Sequence, residues 1–445
     1  MQTSTEAHRP KATASPLDTV GNTDATAICQ DGVRVTRSQL REWASTLAQL
    51  LSSRGKGRVA ISSPRADRVA AAILAAHWAN YEILLLRSNP SRDLCRAWGI
   101  SGLIDENFRV EPMEGNYASE GFQVLLTTSG TTGEPKIARH TLTALLGRVR
   151  PRPRRYGPAR WLLAFHPASF AGLQVLLTAL TSRDELIAVS ELSVIALKHA
   201  ALDWLPTHLS ATPTFWRSFL VAAGDALSKV PLSQLTLGGE VADQRTINHL
   251  RAAFPTSRIV HIYATTEAGA VFSVKDGLAG FPVQWLKTGV EGARLRITDG
   301  ILEVQSPCAM TGYLAAGGKA FTDDGWLRTG DLVTILDDRV HFLGRADTVI
   351  SVGGAKVTPE EVEHMLLQVP GVLDSRVFGL PSVITGSVVA TEIVTEVSDH
   401  DGLRRAIIAH LRGRLEAHKI PRIVRFVPSI PVSQSGKKRR CDAVA

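Results

Sequence analysis

The sequence predicts an α/β fold, with a large N-terminal body of two βαβ subdomains plus a small β-rich layer, followed by a small mobile C-terminal α+β domain. Three observations lead to this class. Apolar runs of strand length alternate with helical patterns through most of residues 1–300, short strands separated by Gly, Asp and Pro begin near Val283, and a separate pattern follows Gly344. With 445 residues, 44% of them hydrophobic, the chain exceeds the size of one ordinary domain.

The body is predicted to contain βα units with parallel strands. Its predicted strands are residues 58–61, 83–86, 121–127, 161–165, 185–189, 208–211, 234–237 and 258–262. Its helical candidates include residues 37–53, 67–80, 170–180 and 243–254. The most apolar stretch, residues 69–86, is interrupted by His77, Asn80 and Glu82, so it predicts a buried helix and a strand rather than a membrane span.

The chain divides into three predicted parts. Residues 1–20 are polar and are expected to be disordered, residues 21–344 form the body, and residues 345–445 form the tail domain. Within the tail, the predicted helices are residues 359–367 and 400–415, and the predicted strands are residues 375–378 and 387–394. The join at residues 343–347 is short, so we expect the tail to pivot about a few bonds.

Composition limits the classes of function. Lysine and arginine number 50 against 42 aspartates and glutamates, an excess of 8 that suits phosphate-bearing ligands but does not predict nucleic-acid binding. Four distant cysteines, at positions 29, 95, 308 and 441, predict neither a zinc site nor a disulfide framework. Residues 1–16 lack the apolar core of a secretion signal, so the predicted location is cytoplasmic.

Residues 125–136, Leu-Leu-Thr-Thr-Ser-Gly-Thr-Thr-Gly-Glu-Pro-Lys, predict a phosphate-binding loop. Its glycines, Gly130 and Gly133, allow the backbone to approach an anion closely, and Lys136 adds a mobile positive charge. Its hydroxyl donors are Thr127, Thr128, Ser129, Thr131 and Thr132. The loop is not a Walker sequence, because no Lys-Ser/Thr pair follows the second glycine.

Two motifs at the ends of predicted strands extend this site. Gly238 and Gly239, followed by Glu240, offer bare backbone on which a planar base can lie. Tyr263 can stack on a base, the Thr266 hydroxyl can reach an α-phosphate, and the Glu267 carboxylate can hold Mg²⁺.

Two further motifs follow. Asp331 ends a turn in Thr-Gly-Asp and can accept hydrogen bonds from two ribose hydroxyls. Lys437 lies on a glycine-flanked loop near the end of the sequence. Each residue has a plainer interpretation: Tyr263 as core packing, Asp331 as a turn residue and Lys437 as a solvated lysine. The order of all the motifs in one chain favours the functional interpretation.

In that order, the motifs resemble the adenylate-forming superfamily of acyl-CoA synthetases, adenylation domains and luciferases. The resemblance covers about residues 31–440 and includes Gly-Arg-Ala-Asp at residues 344–347 and Val-Gly-Gly-Ala-Lys-Val at residues 352–357. It implies that a carboxylate and ATP form acyl-AMP and pyrophosphate, and that the acyl group then passes to a thiol. The implied cofactors are ATP, Mg²⁺ and CoA or the phosphopantetheine of a carrier protein.

The resemblance also implies individual roles. Lys437 would contact the carboxylate and the bridging oxygen, and Glu267 would bind magnesium beside the catalytic Thr266. The further residues carried over are the loop 128–136 for the leaving phosphates, Gly239, Glu240 and Tyr263 for the nucleotide, Asp331 and Arg345 for the ribose, Asp347 as the hinge, and Gly353 and Gly354 for the thiol channel. The tail would rotate between the two half-reactions, withdrawing Lys437.

Departures from the family pattern bear on the substrate. Ala264 replaces the usual glycine and adds a methyl group beside the expected acyl pocket, and Ser169 stands where a histidine is frequent, which leaves His166 as the nearest candidate. No aspartate lies within residues 164–178 to pair with an α-ammonium, so we expect an acid without an α-amine, aromatic or of medium length. The predicted pocket consists of His166, Phe170, Gln174, Thr212, Gly238 and Ala264.

The chosen hypothesis is an acyl-CoA ligase of the AMP-forming type. One alternative is an enzyme that loads a carrier protein, docked on the tail helix or on the arginines between positions 148 and 160. Another is a non-catalytic nucleotide-binding relative, against which the presence of both Glu267 and Lys437 argues.

Overall fold

The computed structural model describes residues 15–115, 117, 121–128, 136–150, 157–314, 320–432 and 437–439, except the side chain of Thr19. Helices in these ranges are α1 Arg37–Ser52, α2 Ala66–Ala79, α3 Arg92–Ala97, α4 Leu142–Leu146, α5 Phe170–Ser182, α6 Val194–Trp204, α7 Pro213–Ala223, α8 Gln244–Ala253, α9 Trp285–Thr288, α10 Pro359–Leu366 and α11 His400–Arg412.

The strands of the body are β1 Thr26–Gln30, β2 Val33–Thr36, β3 Arg58–Ser62, β4 Glu82–Leu86, β5 Gly102–Ile104, β6 Val110–Pro112, β7 Gln123–Thr128, β8 Lys136–His140, β9 Arg160–Leu163, β10 Glu185–Ala188, β11 His208–Ala211, β12 Gln234–Gly238, β13 Arg258–Thr265 and β14 Gly269–Val274. Those of the β-rich layer and its connections are β15 Phe281–Pro282, β16 Arg294–Thr298, β17 Ile301–Gln305, β18 Gly312–Tyr313, β19 Leu327–Leu336 and β20 Arg339–Arg345. The tail has β21 Ile350–Val352, β22 Ala355–Val357, β23 Asp374–Ser382, β24 Gly386–Val394 and β25 Ile423–Phe426.

Two large sheets with parallel centres form the body. One has the order β14-β13-β12-β11-β9-β10-β1-β2 and the other β18-β8-β7-β4-β3-β5-β6. Antiparallel strands flank the parallel strands on both sides of each sheet. Because the central strands are parallel, their carboxyl ends lie at the same end of the sheet. In folds of this kind, ligands bind in the crevice outside those ends.

The β-rich layer and the tail have their own sheets. The layer has the order β15-β20-β19-β17-β16, and the tail has the order β23-β24-β25 beside the hairpin β21-β22. A separate apolar core, which includes Val362, Leu366, Ile393, Ile407 and Leu411, supports the tail. The predicted α/β class, with a β-rich layer and an α+β tail, is confirmed.

Several predicted elements recur within one to three residues of their predicted bounds, because local apolar patterns determine them. Strand β13 is longer than predicted and extends to Thr265. Helix α11 is shorter than predicted and ends at Arg412, where Gly413 caps it. Strand β20 crosses the predicted domain boundary by one residue, at Arg345.

Disorder is predicted for residues 1–20, but residues 15–20 are ordered. Residues 1–14 lie outside the described residues. Pro16–Val20 form a 3-10 helix capped by Ser15, and both Leu17 and Val20 are fully buried. The guanidinium of Arg37 donates to the Val20 carbonyl at 3.4 Å. Two apolar side chains in a polar segment are therefore enough to dock it on the body.

The arginine-rich segment at residues 148–160 is partly built into the body. Arg148 donates to the carbonyls of Ala270 and Val271 in β14, at 3.2 and 2.6 Å, and lies 3.2 Å from a carboxylate oxygen of Glu291. It is therefore a structural residue of the body. Residues 151–156, which carry three of the other arginines, lie outside the described residues.

A cluster of buried charged side chains lies at the amino ends of β3 and β4 in the seven-stranded sheet. Glu82, at the start of β4, accepts from Nε of Arg58 at 2.7 Å and from Nη2 of Arg139 at 2.8 Å. Glu82 and Arg58 have side chains only 1% and 2% exposed. Because both charges are out of water, each depends on the other for compensation.

We predict that Glu82→Ala lowers the free energy of unfolding by about 3–5 kcal/mol, because it leaves the Arg58 charge buried and uncompensated. Urea denaturation of the full chain measures the loss. The double substitution Arg58→Met with Glu82→Leu removes both charges and is expected to cost less than the single one. A double variant less stable than Glu82→Ala contradicts this account.

Candidate active site

Residues from the body and the tail meet at the carboxyl ends of β12 and β13. Gly239 follows β12 with a φ of +85°, a backbone conformation that favours glycine. A Cβ atom at this position would stand 3.5 Å from Cε of Lys437 and 3.6 Å from Cγ2 of Thr212. The structure therefore brings the predicted lysine, the glycine pair and one predicted pocket residue together.

Lys437 lies near several carboxylates of the body. Residue 437 is exposed overall, yet its ammonium lies close enough to the body to be desolvated. Desolvation by the surrounding protein lowers the pKa of its ammonium, whereas the charges of Glu240, Asp331 and Glu267 act in the opposite direction. The lysine is thus a cation held at a site with several negative charges.

Asp331, Tyr263 and Arg345 form one hydrogen-bonded group. Residues 331 and 345 are directly opposite each other in the β19-β20 pair. The Tyr263 hydroxyl donates to Oδ2 of Asp331 at 2.5 Å, and Nη1 of Arg345 lies 3.5 Å from Oδ1. Asp331 is therefore a strand residue rather than a turn residue, and both its oxygens already have a donor nearby.

Burial perturbs both titrating groups of this set. Desolvation raises the pKa of Asp331, although Arg345 and Tyr263 oppose the shift. Desolvation and the Asp331 carboxylate raise the pKa of Tyr263 well above its usual range, so its hydroxyl keeps the proton that it donates.

The Tyr263 ring is largely occupied by protein contacts. It stacks against Phe272 and Phe342, with ring centroids 5.1 and 4.9 Å apart. The core-packing interpretation thus describes much of this ring, which remains partly exposed. Stacking of a base on it stays a prediction.

Arg345 also holds the predicted hinge residue. Its Nε and Nη2 donate to the two carboxylate oxygens of Asp347, at 3.2 and 3.0 Å. This bidentate pair joins the short 3-10 helix Ala346–Thr348 to the end of β20. One guanidinium therefore links the predicted ribose site to the predicted hinge.

Glu267 lies where the two large sheets of the body meet. Its Oε1 accepts from the Tyr313 hydroxyl at 3.2 Å, and its carbonyl accepts from the Met310 amide at 2.9 Å. The ammonium of Lys136 lies 5.3 Å from the centroid of the Tyr313 ring. Glu267 is thereby brought close to the end of the predicted phosphate loop.

A buried histidine fixes the neighbouring Thr266. Nε2 of His140 lies 2.8 Å from the Thr266 carbonyl, and burial lowers the pKa of His140 to about 4. The ring is therefore neutral at neutral pH, with its Nε2 proton donated to that carbonyl. His140 and Tyr313 were missed by the sequence analysis, since each acts on a motif that is distant along the chain.

The predicted magnesium site rests on one carboxylate. Among the described residues, no group of three or more His, Cys, Asp and Glu side chains is placed to hold a metal ion. Mg²⁺ bound with nucleotides commonly uses one or two carboxylates, phosphate oxygens and waters. Glu267 fits that pattern, because the Tyr313 hydroxyl contacts only one of its oxygens.

The phosphate loop is described only at its two ends. Thr128 and Lys136 are paired across the antiparallel strands β7 and β8. Ser129, Gly130, Thr131, Thr132 and Gly133 lie outside the described residues. The pairing brings the last hydroxyl of β7 and the first lysine of β8 to the same place.

The segment before α5 determines the environment of His166. A Cβ on Gly172 would stand 2.1 Å from the His166 carbonyl, so this helix requires glycine at its start. Nδ1 of His166 accepts from the Ala168 amide at 3.1 Å, and desolvation, assisted by the Arg87 charge, lowers the pKa of His166 to about 4. His166 is therefore buried and neutral.

The other predicted pocket residues differ in how free their side chains are. Gln174 donates to the Leu145 carbonyl at 2.9 Å, and the Thr212 hydroxyl caps α7 by accepting from the Phe215 amide at 3.1 Å. Phe170 lies beside His140, with ring centroids 5.7 Å apart. Gly238 and Ala264 lie at the ends of β12 and β13.

Gly353 and Gly354 are not among the residues that surround Lys437 and Gly239. They form the exposed tip of the β21-β22 hairpin, where the Gly353 amide donates to the Thr385 carbonyl of the same domain at 2.8 Å. In the arrangement that brings Lys437 to Gly239, the hairpin tip is thus held by the tail itself. The predicted role in a thiol channel stays a prediction.

Comparison with known families covers both domains. The family model described as AMP-binding enzyme matches residues 105–314, and the one described as AMP-binding enzyme C-terminal domain matches residues 361–437. No described helix has the length and apolar character that crossing a membrane requires.

Curated relatives and solved structures agree with this match. A probable 2-succinylbenzoate–CoA ligase of Mycobacterium tuberculosis is 29% identical over 74% of this chain and 86% of its own length. A putative acyl–CoA ligase of Bacillus subtilis is 29% identical over 71% of this chain and 66% of its own length. The crystal structure of an anthranilate CoA ligase in complex with anthranoyl-AMP shares the fold, with a TM-score of 0.78 and 19% identity over 96% of this chain and 95% of that one.

We predict that His140→Gln reduces the loss of stability in acid. An unfolded histidine takes up a proton near pH 6.5, whereas folded His140 does so only near pH 4. The contribution of neutral His140 to the free energy of unfolding is therefore complete above pH 6.5 and is lost as the pH falls towards 4. Between pH 7 and pH 5 this difference amounts to about 2 kcal/mol. Urea denaturation at both pH values measures it, with the exposed His249→Gln as control. An unchanged pH dependence in His140→Gln contradicts the assignment.

Proposed function

Because the chain belongs to the AMP-binding enzyme family, we propose that it activates a carboxylic acid with ATP and transfers the acyl group to CoA. The acid lacks an α-amine and is aromatic or of medium length. The observation that carries the proposal is the position of Lys437 beside Gly239, within reach of the charges of Glu267 and Asp331. This arrangement assembles a cation and the nucleotide motifs in one place.

In the first half-reaction, a carboxylate oxygen of the acid attacks the α-phosphorus of ATP. A new bond between that oxygen and phosphorus forms, the bond to the bridging oxygen breaks, and pyrophosphate leaves. Two anions must approach each other, so the site has to supply positive charge and alignment. Lys437 supplies that charge between the carboxylate and the bridging oxygen, while the Thr266 hydroxyl donates to the α-phosphate.

The remaining motifs position the nucleotide. Gly238 and Gly239 offer flat backbone to the adenine, with Tyr263 at its edge. The Asp331 carboxylate accepts from the ribose hydroxyls through its free lone pairs, supported by Arg345. Glu267 would hold Mg²⁺, which when bound neutralises phosphate charge.

In the second half-reaction, the CoA thiolate, whose proton has passed to water, attacks the acyl carbonyl of acyl-AMP. The carbon–sulfur bond forms as the carbon–oxygen bond to AMP breaks, which yields the thioester and AMP. We propose that the tail pivots near Asp347 for this step, withdrawing Lys437 and presenting Gly353 and Gly354. Since ATP and CoA are the proposed co-substrates, the cytoplasm is the compartment in which we expect the reaction.

Charge in the pocket supports an acid without an α-amine. No aspartate lies within residues 164–178, and His166 is buried and neutral. An ammonium there would lack compensation and be costly to bury. The substrate named for the Mycobacterium relative, 2-succinylbenzoate, is an aromatic acid without an amine, which agrees with this class.

We predict that one or more aryl or medium-chain acids support ATP–pyrophosphate exchange and that amino acids do not. Lys437→Ala is expected to lower the exchange rate by about 10²–10³-fold, the usual effect of removing one group that stabilises transition-state charge. The exposed Lys229→Ala is the matched control. Exchange that needs an amino acid, or that survives in Lys437→Ala, contradicts the proposal.

We predict that CoA accepts the acyl group, with a rate that changes little between low and moderate salt. Thioester formation followed by mass measurement at both salt concentrations tests this. If the acceptor is instead an acidic carrier protein docked on basic surface, CoA is a poor substrate and transfer to the carrier weakens steeply with salt. That result would contradict CoA as the acyl acceptor and identify a carrier protein instead.

A further inference from the structure

An arginine whose side chain is only 10% exposed joins the body to the tail close to the site. Arg217 in α7 contacts carboxylates of both parts: its Nε lies 3.0 Å from Oδ1 of Asp374 in β23, and its Nη1 lies 3.2 Å from Oδ2 of Asp243. Nη1 and Nη2 also donate to the hydroxyls of Thr246 and Thr214, each at 3.1 Å. All three nitrogens of the guanidinium are thus engaged.

Asp374 holds a second cation from the tail. Nζ of Lys438 lies 3.0 Å from the same Oδ1, lies 3.3 Å from Oε2 of Glu363 and donates to the Ser375 carbonyl. Desolvation alone would raise the pKa of Asp374, but Arg217 and Lys438 outweigh it and lower that pKa. Asp374 is therefore an ionised bridge between a body cation and a tail cation.

The residue after Lys437 is held from both sides. The side chain of Lys438 is bound within the tail, while its amide donates to Oε1 of Glu240 in the body at 2.9 Å. The other oxygen of Glu240 accepts from the Thr214 amide at 3.1 Å, at the start of the helix that carries Arg217. These contacts set where Lys437 meets Gly239.

The charges remain paired when the two parts separate. If the tail moves away, Arg217 keeps Asp243 and Asp374 keeps Lys438. The Arg217–Asp374 pair and the Lys438–Glu240 hydrogen bond cross between the parts and must break, as must the approach of Lys437 to Gly239. Neither domain is then left with an isolated buried charge, which is the expensive outcome of breaking an ion pair.

We propose that Arg217 and Asp374 form a releasable clamp that positions Lys437 for acyl-AMP formation and opens before thioester formation. The inference rests on the proposed function for its two half-reactions. Arg217 and Asp374 are positioning residues, since they act through the tail rather than on the substrate. Their loss is expected to slow the first half-reaction and spare the second.

The first test separates the half-reactions in Asp374→Asn and Arg217→Gln. We expect about a tenfold or larger fall in the kcat of acyl-AMP formation with little change in the KM for ATP, which is the pattern of an interaction needed only for the reacting arrangement. Thioester formation from synthetic acyl-AMP and CoA is expected to stay within about twofold of the wild type. Equal losses in both half-reactions, or none in either, overturn the clamp.

The matched control is Glu361→Gln, which breaks an ion pair that lies wholly within the tail. Glu361 and Lys419 are 2.8 Å apart and contact no part of the body in that pair. Both half-reactions are expected to stay at the wild-type level in this variant. A fall equal to that of Asp374→Asn shows that any loss of a tail ion pair has the same effect, and so overturns the clamp.

A second measurement needs no activity and keeps the two proposals distinguishable. Spin labels at the exposed positions 195 in the body and 383 in the tail, introduced as Ile195→Cys and Val383→Cys with Cys441→Ser, report the distance between the parts. The wild type is expected to give one main distance, and Asp374→Asn a broader or shifted distribution. An unchanged distribution refutes the clamp, whereas an enzyme that activates no acid refutes the proposed function alone.

Discussion

The junction between the two large sheets of the body is the constraint on which the site depends. His140, at the end of β8, is bonded to the Thr266 carbonyl, and Met310 is bonded to the Glu267 carbonyl. These contacts set a turn from one sheet against a strand of the other. Neither sheet alone has both the end of the predicted phosphate loop and the acidic motif, so the relative position of these predicted nucleotide-binding residues follows from how the sheets meet.

Local sequence patterns predicted where helices and strands lie better than they predicted which residues contact each other. Helix and strand positions followed from apolar periodicity, and the candidate site motifs from residue type and order. The two-residue strand β18, which carries Tyr313, is too short to leave a pattern. The contacts of His140 and Arg217 join residues 126 and 157 positions apart, so only the assembled chain reveals them.

Average composition also hid local exceptions. The first twenty residues are polar overall, yet Leu17 and Val20 are fully buried against the body. Arg148 belongs to a run of arginines, yet its donors are used by carbonyls of β14. In both cases a few side chains with specific partners outweigh the character of the segment, which is information that composition cannot contain.

The Arg345 guanidinium contacts the carboxylates of both Asp331 and Asp347. It also donates to the Thr329 carbonyl at 2.9 Å. A rigid planar cation cannot reorient towards one carboxylate without disturbing the other. In the proposed function, ribose binding at Asp331 and rotation of the tail at Asp347 are therefore thermodynamically linked. Under that proposal, if bound nucleotide shifts the equilibrium of the tail rotation, the rotation shifts the affinity for the nucleotide by the same free energy, because such coupling is reciprocal.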